Sequence, residues 1–460
     1  MLRTTQRAML VNRFMWVGFV VVLGCDPAVV LPNAEGTSSS TGAGAGASTT
    51  AVEGSTTSGS PPPPGSSGIP TDETTTGGDS GQLEPDVGLV RPAQACNPLP
   101  DGPDGPTPVW CDEWIPVGND NAYGARVAVG SDGHVFVTGR SRREGESQRG
   151  FVARYDEQGT RLWSRNFEFL GWDAADGVAV APNGDLFVGG SAEPNTGPGF
   201  GWLARISGDG DPIWELDELD LSTAYRLESD VDGSFILVAS GPNWGPGEPP
   251  AVVSRLAPDG EVMWTHTVDA MGSNSENFAR GVDFDGEGNI VVAGSLSDRS
   301  RWLSKLSPEG SVVWEVIEVG DPFEINVFFD VTVSETGDVY AVGTVASETY
   351  VGRYSADGDP IWTRLVVPEK DWNYAYGVSS LPGGDIVVVG NRSLMGEPHP
   401  LWARRYAPDG EVVWDYHVPS GGFIDSSATD IAVAPDGDIV LAGTIYYGFP
   451  SSMWVAKLTP

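Results

Sequence analysis

The sequence predicts an all-β fold, a seven-bladed β-propeller made of four-stranded antiparallel blades. Three observations lead to this prediction. One unit recurs seven times, each unit holds four short strand patterns, and the strand missing from the last unit is found ahead of the first. Four strands in every repeat of roughly 50 residues indicate a propeller blade.

The repeated unit has two recognisable halves. The first reads Gly-Val-Ala-Val, a turn of the type Pro-Asp-Gly-Asp, and Ile-Val-Val-x-Gly, and the second ends in x-Asp-Gly-x-x-x-Trp. The tryptophans of this ending recur at intervals of 48 to 53 residues, as Trp110, Trp163, Trp214, Trp264, Trp314, Trp362 and Trp414. A small residue follows the first turn glycine by six positions in every unit: Gly139, Gly190, Ala239, Gly294, Gly343, Gly390 and Gly443.

Each unit is predicted to form four β-strands. Its segments are short, rich in β-branched and aromatic residues, and alternate in polarity. The Asp-Gly, Asn-Gly and Gly-Gly pairs between them supply the positive φ angles of tight hairpins. The main alternative, a parallel β-helix, would need shorter rungs and no hairpin turns. We expect each motif tryptophan on an outermost strand, where a large ring fills the wedge between blades.

The last unit lacks its fourth strand, because the chain stops at Pro460 soon after Trp454. Residues 103–110 repeat the x-Asp-Gly-x-x-x-Trp ending. We therefore expect an N-terminal strand to complete the last blade, which closes the ring and removes two open sheet edges. Cys96 and Cys111 flank this strand, and a disulfide between them would contribute about 3 kcal/mol in the chain-entropy model.

Composition divides the chain into three parts. Residues 1–24 combine three arginines with a short apolar run, which is typical of a signal peptide. Residues 25–94 are rich in Ser, Thr, Gly, Ala and Pro, which predicts a disordered tether. No aromatic residue occurs from Val20 to Val109. A segment without such side chains buries too little area to fold, so the propeller is predicted at residues 95–460.

Val22-Leu23-Gly24-Cys25 resembles the lipobox of bacterial lipoproteins. In that family the signal peptide is cleaved before the cysteine, and the sulfur carries a diacylglyceryl group. The resemblance implies that Cys25 is lipidated and that the protein is held on the cell envelope, outside the cytoplasm, at the inner or the outer membrane. The alternative is an ordinary secretory signal that contains a cysteine by chance.

The net charge of −37 disfavours a nucleic-acid partner, because so acidic a chain repels phosphate backbones. One basic position nevertheless recurs in every unit: Arg154, Arg205, Arg255, Lys305, Arg353, Arg405 and Lys457. We expect these side chains to form a structural ring that pairs with the aspartates of the turns.

Over residues 103–460 the units resemble the seven-bladed propeller repeats of bacterial secreted and surface proteins, and distantly those of quinoproteins. The resemblance implies the fold and leaves the function open. The irregular loops all lie on one face, where function is expected. Rings beside carboxylates and amides there suit a glycan or protein ligand. The candidate residues are Trp172, Asp173, Tyr225, Asn277, Phe278, Phe328, Trp372, Asn373 and Tyr374. Alternatively, these rings plug the central channel as core.

No catalytic constellation stands out in the sequence. The four histidines share no metal-ligand spacing, and no Gly-x-Ser-x-Gly motif occurs. Residues 283–289 look like a calcium loop, but they fall on a repeat turn and lack the distal glutamate. We therefore expect a monomeric, non-catalytic binding propeller without metal or cofactor. The alternative is a glycan lyase or hydrolase, or a quinoprotein-like oxidoreductase.

Overall fold

The computed structural model describes residues 83–84, 105–116, 118–169, 171–194, 199–219, 221–241, 250–268, 277–296, 299–320, 324–346, 348–366, 372–393, 401–417, 425–446 and 450–460. The chain separates into two compact units, Met1–Glu73 and Thr74–Pro460, and every described residue belongs to the second. Within these ranges no helix is long and apolar enough to cross a membrane. The predicted signal peptide, Cys25 and Cys96 lie outside the described residues.

The described strands form seven antiparallel sheets. Two strands come first in the chain, β1 (Leu83–Glu84) and β2 (Thr107–Trp114). Blade 1 comprises β3 (Asn121–Val129), β4 (Val135–Arg142), β5 (Gln148–Tyr155) and β6 (Arg161–Phe167). Blade 2 comprises β7 (Gly171–Val180), β8 (Leu186–Pro194), β9 (Phe200–Ile206) and β10 (Pro212–Leu219). Blade 3 comprises β11 (Thr223–Ser229), β12 (Phe235–Ser240), β13 (Ala251–Leu256) and β14 (Val262–Val268).

The remaining blades repeat this order from the innermost strand outward. Blade 4 comprises β15 (Phe278–Phe284), β16 (Ile290–Ser295), β17 (Arg301–Leu306) and β18 (Val312–Glu318). Blade 5 comprises β19 (Asn326–Val333), β20 (Val339–Val345), β21 (Glu348–Tyr354) and β22 (Pro360–Val366). Blade 6 comprises β23 (Trp372–Ser380), β24 (Ile386–Ser393), β25 (Leu401–Tyr406) and β26 (Val412–His417). Blade 7 comprises β27 (Asp425–Val433), β28 (Ile439–Tyr446), β29 (Ser451–Thr459) and β2. The predicted fold class is confirmed.

The N-terminal strand closes the ring as expected. β2 pairs antiparallel with β29, from Thr107 opposite Thr459 to Trp114 opposite Met453. The short strand β1 pairs with β6 and makes blade 1 five-stranded. Because β1 lies inside the segment predicted as a tether, part of that segment contributes to the folded unit.

The hydrophobic core lies between neighbouring sheets. Successive side chains of a strand point to opposite faces, so each strand serves two cores. On β4, Phe136 packs with Val188 of blade 2, whereas Val137 packs with Val455 of blade 7. The whole ring is therefore held by seven interblade layers, and each one depends on both of its blades.

The motif tryptophans form hydrogen bonds between neighbouring blades. Six indole nitrogens donate to a turn carbonyl of the next blade at 2.9–3.1 Å: Trp110 to Glu157, Trp163 to Gly208, Trp214 and Trp264 to Pro258 and Pro308, Trp314 to Ala356, and Trp362 to Pro408. Trp414 has no hydrogen-bond partner among the described residues. Its neighbour, blade 7, has no turn between third and fourth strands, because those strands are β29 and β2.

The basic ring is also confirmed. All seven cations pair with an aspartate at the turn between the first and second strands of their own blade. The pairs are Arg154–Asp132, Arg205–Asp185, Arg255–Asp230, Lys305–Asp285, Arg353–Asp338, Arg405–Asp385 and Lys457–Asp436, at 2.5–3.8 Å.

Every innermost strand carries a β-bulge at the same position. The extra residues are Ala125, Asp176, Tyr225, Arg280, Phe329, Tyr376 and Thr429. The bulge brings a carbonyl close to the small residue of the second strand. A Cβ at Gly390, for example, would lie 1.8 Å from the carbonyl oxygen of Tyr374. This close approach explains why six of the seven units have glycine there.

Replacing Gly390 with alanine is expected to destabilise the protein by about 2 kcal/mol, because the new Cβ must displace backbone. The matched control is Ala239→Gly in blade 3, where the repeat already holds alanine, and its expected cost is about 1 kcal/mol or less. Urea denaturation measures both values. Equal midpoints for G390A and the wild-type protein would contradict the steric explanation.

Candidate functional site

The innermost strands surround a central channel whose side chains form three layers. The first layer lies towards the face that carries the interblade loops, and we call this end the channel mouth. A middle layer consists of paired charges. The third layer borders a cavity near the Asp-Gly turns.

An aromatic layer crosses the channel on the side of blades 3 to 6. It consists of Tyr225, Phe278, Arg280, Phe329, Tyr374 and Tyr376. The Arg280 guanidinium lies over three of the rings, at 4.4 Å from Phe278 and 5.5 Å from both Tyr225 and Phe329. Tyr374 and Tyr376 stack at 5.8 Å and 8°. These contacts place the rings on one another, so the aromatic layer partly plugs the channel.

Two further arginine–aromatic pairs lie at the mouth on blades 1 and 2. Arg142 lies 5.2 Å from the ring centre of Trp172, and Arg140 lies 5.2 Å from that of Tyr123. Trp172 is 38% exposed, whereas the side chains of Arg140 and Tyr123 are half-buried. Such cation–π contacts hold a guanidinium plane against a ring.

One carboxyl group lies beside these arginines. Asp176 is the bulge residue of blade 2, and it accepts a hydrogen bond from the Ser191 hydroxyl at 3.2 Å. Burial raises the pKa of Asp176, and the Arg140 guanidinium opposes this shift. The mouth therefore combines rings, guanidinium groups and a partly desolvated carboxyl group.

Several of the residues predicted for ligand binding do lie at the mouth. Trp172 is exposed, Tyr225 and Tyr374 are half-buried, and Phe278 contacts Tyr225 edge-on at 5.8 Å. Burial raises the pKa of Tyr374. The side chains of Trp372 and Asn373 lie outside the described residues.

Three other predicted residues are buried. Phe328 is 0% exposed and packs in the core beside Tyr350, at 5.5 Å. Asn277 is fully buried, and the buried Asp173 carboxylate accepts a hydrogen bond from the Phe169 amide at 2.7 Å. The bulge shifts the side-chain register by one residue, so Phe329 takes the place at the mouth that was expected for Phe328.

The middle layer is a buried cluster of four charges. The Arg226 guanidinium lies 3.2 Å from Asp330 and 2.9 Å from Asp430, and Arg126 lies 3.7 Å from Asp430. Backbone amides also donate to the two carboxylates, Val378 to Asp330 and Val127 to Asp430. Burial raises the pKa of Asp330 to about 6. Burial alone would lower the pKa of Arg226, but the charges of Asp330 and Asp430 raise it.

Below the charge cluster lies a cavity of about 220 Å³. Its polar lining includes Glu228, Asp283, Thr332 and Ser379. Asp283 accepts hydrogen bonds from the Thr332 hydroxyl at 2.9 Å and from two backbone amides. Burial, reinforced by the charge of Asp283, raises the pKa of Glu228 to about 8.

We find no metal centre in the part of the chain that the structure describes. No group of three or more His, Cys, Asp or Glu side chains there is arranged to hold an ion. The calcium-like segment 283–289 is a repeat turn. Its Asp285 carboxylate accepts from the backbone amides of Glu287 and Asn289 at 2.9 Å and pairs with Lys305 at 2.7 Å.

Sequence comparisons give one partial relative. No protein-family model matches the chain. The regulatory protein FlaEY of Caulobacter vibrioides is 30% identical over 151 residues, which are 27% of this chain and 16% of FlaEY. The chain thus spans only a small part of that curated relative.

Solved structures with a related shape include three bacterial proteins. The periplasmic gluconolactonase of Pseudomonas aeruginosa is 15% identical with a TM-score of 0.48, over 74% of this chain and 100% of that one. A protein of unknown function from Dyadobacter fermentans is 10% identical with a TM-score of 0.48, over 77% and 99%. A protein from Lactobacillus plantarum is 14% identical with a TM-score of 0.47, over 68% and 91%. None of these similarities assigns a family or an activity to the chain.

Proposed function

We propose that the chain is an extracytoplasmic binding protein, held to a membrane through lipidated Cys25, whose propeller binds a ligand at the channel mouth without catalysis. One observation carries the binding proposal. The mouth presents an exposed Trp172, half-buried arginine–aromatic pairs and the aromatic layer, and the charge cluster occupies the channel beneath. A shallow, ring-lined surface on a rigid scaffold suits ligand binding.

Catalysis by paired carboxyl groups is less well supported at this surface. Glycoside hydrolysis needs two carboxyl groups with opposed roles, one on each side of the bond that breaks. Among the described residues the mouth holds one carboxyl group with a raised pKa, Asp176. Glu228 and Asp283 line the cavity on the other side of the charge cluster.

The test is a screen of the purified full-length protein against immobilised glycans and peptides. For any ligand that binds, the double variant Trp172→Ala/Tyr374→Ala is expected to lower the affinity at least tenfold, because aromatic anchors contribute about 2 kcal/mol or more when truncated. The matched control is Ile361→Ala, which removes an exposed apolar side chain from the outer strand β22. Unchanged affinity in the double variant would refute a site at the mouth.

A further inference from the structure

We propose that the channel mouth takes an anionic glycan, with the carboxylate of a uronate residue bound by Arg140 and Arg142 and a sugar ring placed on Trp172. The inference rests on the proposed function and narrows its ligand to one chemical class.

Blade 1 departs from the repeat at Arg140 and Arg142. The residue after the small residue of the second strand is Arg140 in blade 1, but a neutral polar residue in the other blades: Ser191, Ser240, Ser295, Thr344, Asn391 and Thr444. Two positions further on, blade 1 again has arginine, at Arg142, and no other blade has a basic residue there. The fold itself therefore does not require these cations.

The guanidinium groups of Arg140 and Arg142 both lie against aromatic rings. The seven cations of the basic ring each pair with a turn aspartate. The Cζ atoms of Arg140 and Arg142 lie 5.2 Å from the ring centres of Tyr123 and Trp172. Such a cation–π contact restrains a guanidinium group, and the N–H edge of a guanidinium grips a carboxylate through two hydrogen bonds.

Arg140 also has unused donors. Its guanidinium donates no hydrogen bond to any residue that the structure describes, and it acts on the nearby Asp176 carboxyl group through its charge. The adjacent Arg143 differs, because it is more exposed and pairs with Glu146 at 3.5 Å. A half-buried guanidinium with free donors is a favourable partner for a carboxylate that enters from solvent.

Two cations lie beside an exposed ring at the mouth. Although the chain has a net charge of −37, Arg140 and Arg142 of blade 1 lie there together with the acidic Asp176 and Glu193 of blade 2. The acidic groups Glu228 and Asp283 face the opposite end of the channel. The exposed ring of Trp172 adds a flat apolar surface, which favours a sugar ring over an inorganic anion.

The experiment compares uronate oligosaccharides with neutral counterparts of the same backbone. Oligogalacturonate, oligoguluronate and hyaluronan fragments are presented to the full-length protein, each also in methyl-esterified form. We expect at least one acidic form to bind at least tenfold more tightly than its ester, with an affinity that falls as salt rises from 50 to 300 mM. Arg140→Gln and Arg142→Gln should each lower that affinity about tenfold and leave the ester unaffected.

The matched control is Arg364→Gln, which removes another arginine stacked on a tryptophan, Trp362, on the outer strand β22. It should bind as the wild-type protein does. Equal affinity for acid and ester, or no effect of R140Q, overturns this inference and leaves the proposed function standing. Binding of polyglutamate without any oligosaccharide overturns it in favour of an acidic peptide. If nothing in the wider screen binds, the proposed function fails as well.

Discussion

Internal deletion of β2 is expected to abolish the cooperative thermal unfolding transition of the propeller. The deletion would leave the edge of β29 unpaired, and an open edge favours association with other chains. It would also remove Trp110 and Trp114 from the core that joins blade 7 to blade 1. Calorimetry and gel filtration measure the outcome. Deleting residues 40–70 of the predicted tether is the matched control and should leave the melting temperature unchanged.

A point variant tests the same contact between blade 7 and blade 1 in a protein that still folds. Asp112 on β2 is buried and pairs with the buried Arg161 of β6 at 2.9 Å, and it accepts from the Tyr155 hydroxyl at 3.1 Å. Asp112→Ala removes a buried carboxylate that pairs with the buried Arg161, so we expect a loss of about 3–5 kcal/mol in the free energy of unfolding. Asp357→Ala, in an exposed turn, is the control. A D112A protein within about 1 kcal/mol of wild type would show that this pair does not hold the ring closed.

The blade count follows from the sequence because its signals are local. An Asp-Gly turn, a motif tryptophan and its acceptor carbonyl recur within each unit or between adjacent units. Trp110 is a motif tryptophan that stands before the first unit, and it therefore predicts that its strand completes the unfinished seventh blade. These features depend on neighbouring strands, and the structure confirms them.

The side chains of the site are harder to predict from the sequence, because a β-bulge changes which residue faces the channel mouth. The sequence prediction assigned Phe328 to an interblade loop at the mouth, whereas the extra residue in β19 gives that place to Phe329. Nothing in the β19 sequence alone marks the bulge. The aligned repeat does hint at it, since every blade carries it at one position.

The charge cluster could have been predicted from the sequence, but only by aligning the seven repeats. The residue after the bulge is charged in blades 1, 3, 5 and 7 and glycine in blades 2, 4 and 6: Arg126, Gly177, Arg226, Gly281, Asp330, Gly377 and Asp430. A Cβ at Gly281 would lie 2.7 Å from the Asp330 Cα, so the crowded axis leaves no room for a side chain there. A Cβ at Gly177, by contrast, would meet its nearest neighbours at 3.4 Å, so crowding explains the glycine of blade 4 and not that of blade 2.

The stability of the protein is expected to fall as the pH rises from about 5 towards 8, and Glu228, whose pKa is raised further than that of Asp330, is expected to contribute most. Burial raises the pKa of this carboxyl group from 4.5 to about 8. Between those values the folded protein keeps a proton that the unfolded chain releases. The protonated Glu228 therefore makes its full contribution to the free energy of unfolding below about pH 4.5. This contribution is lost as the pH rises through about 8. Each pKa unit between the folded and the unfolded value corresponds to about 1.4 kcal/mol in the free energy of unfolding.

Glu228→Gln removes this titration and keeps the shape of the side chain. We expect the variant to exceed wild type by at least about 2 kcal/mol at pH 8.5 and to match it within about 1 kcal/mol at pH 5. Denaturation curves across the pH range measure the difference, with the exposed Glu335→Gln as control. An advantage that is absent, or the same at both pH values, would mean that folding leaves the titration of Glu228 unchanged. Because the charge cluster separates Glu228 from the mouth, ligand affinity in E228Q should equal that of wild type, and a large change would link the cavity to the binding surface.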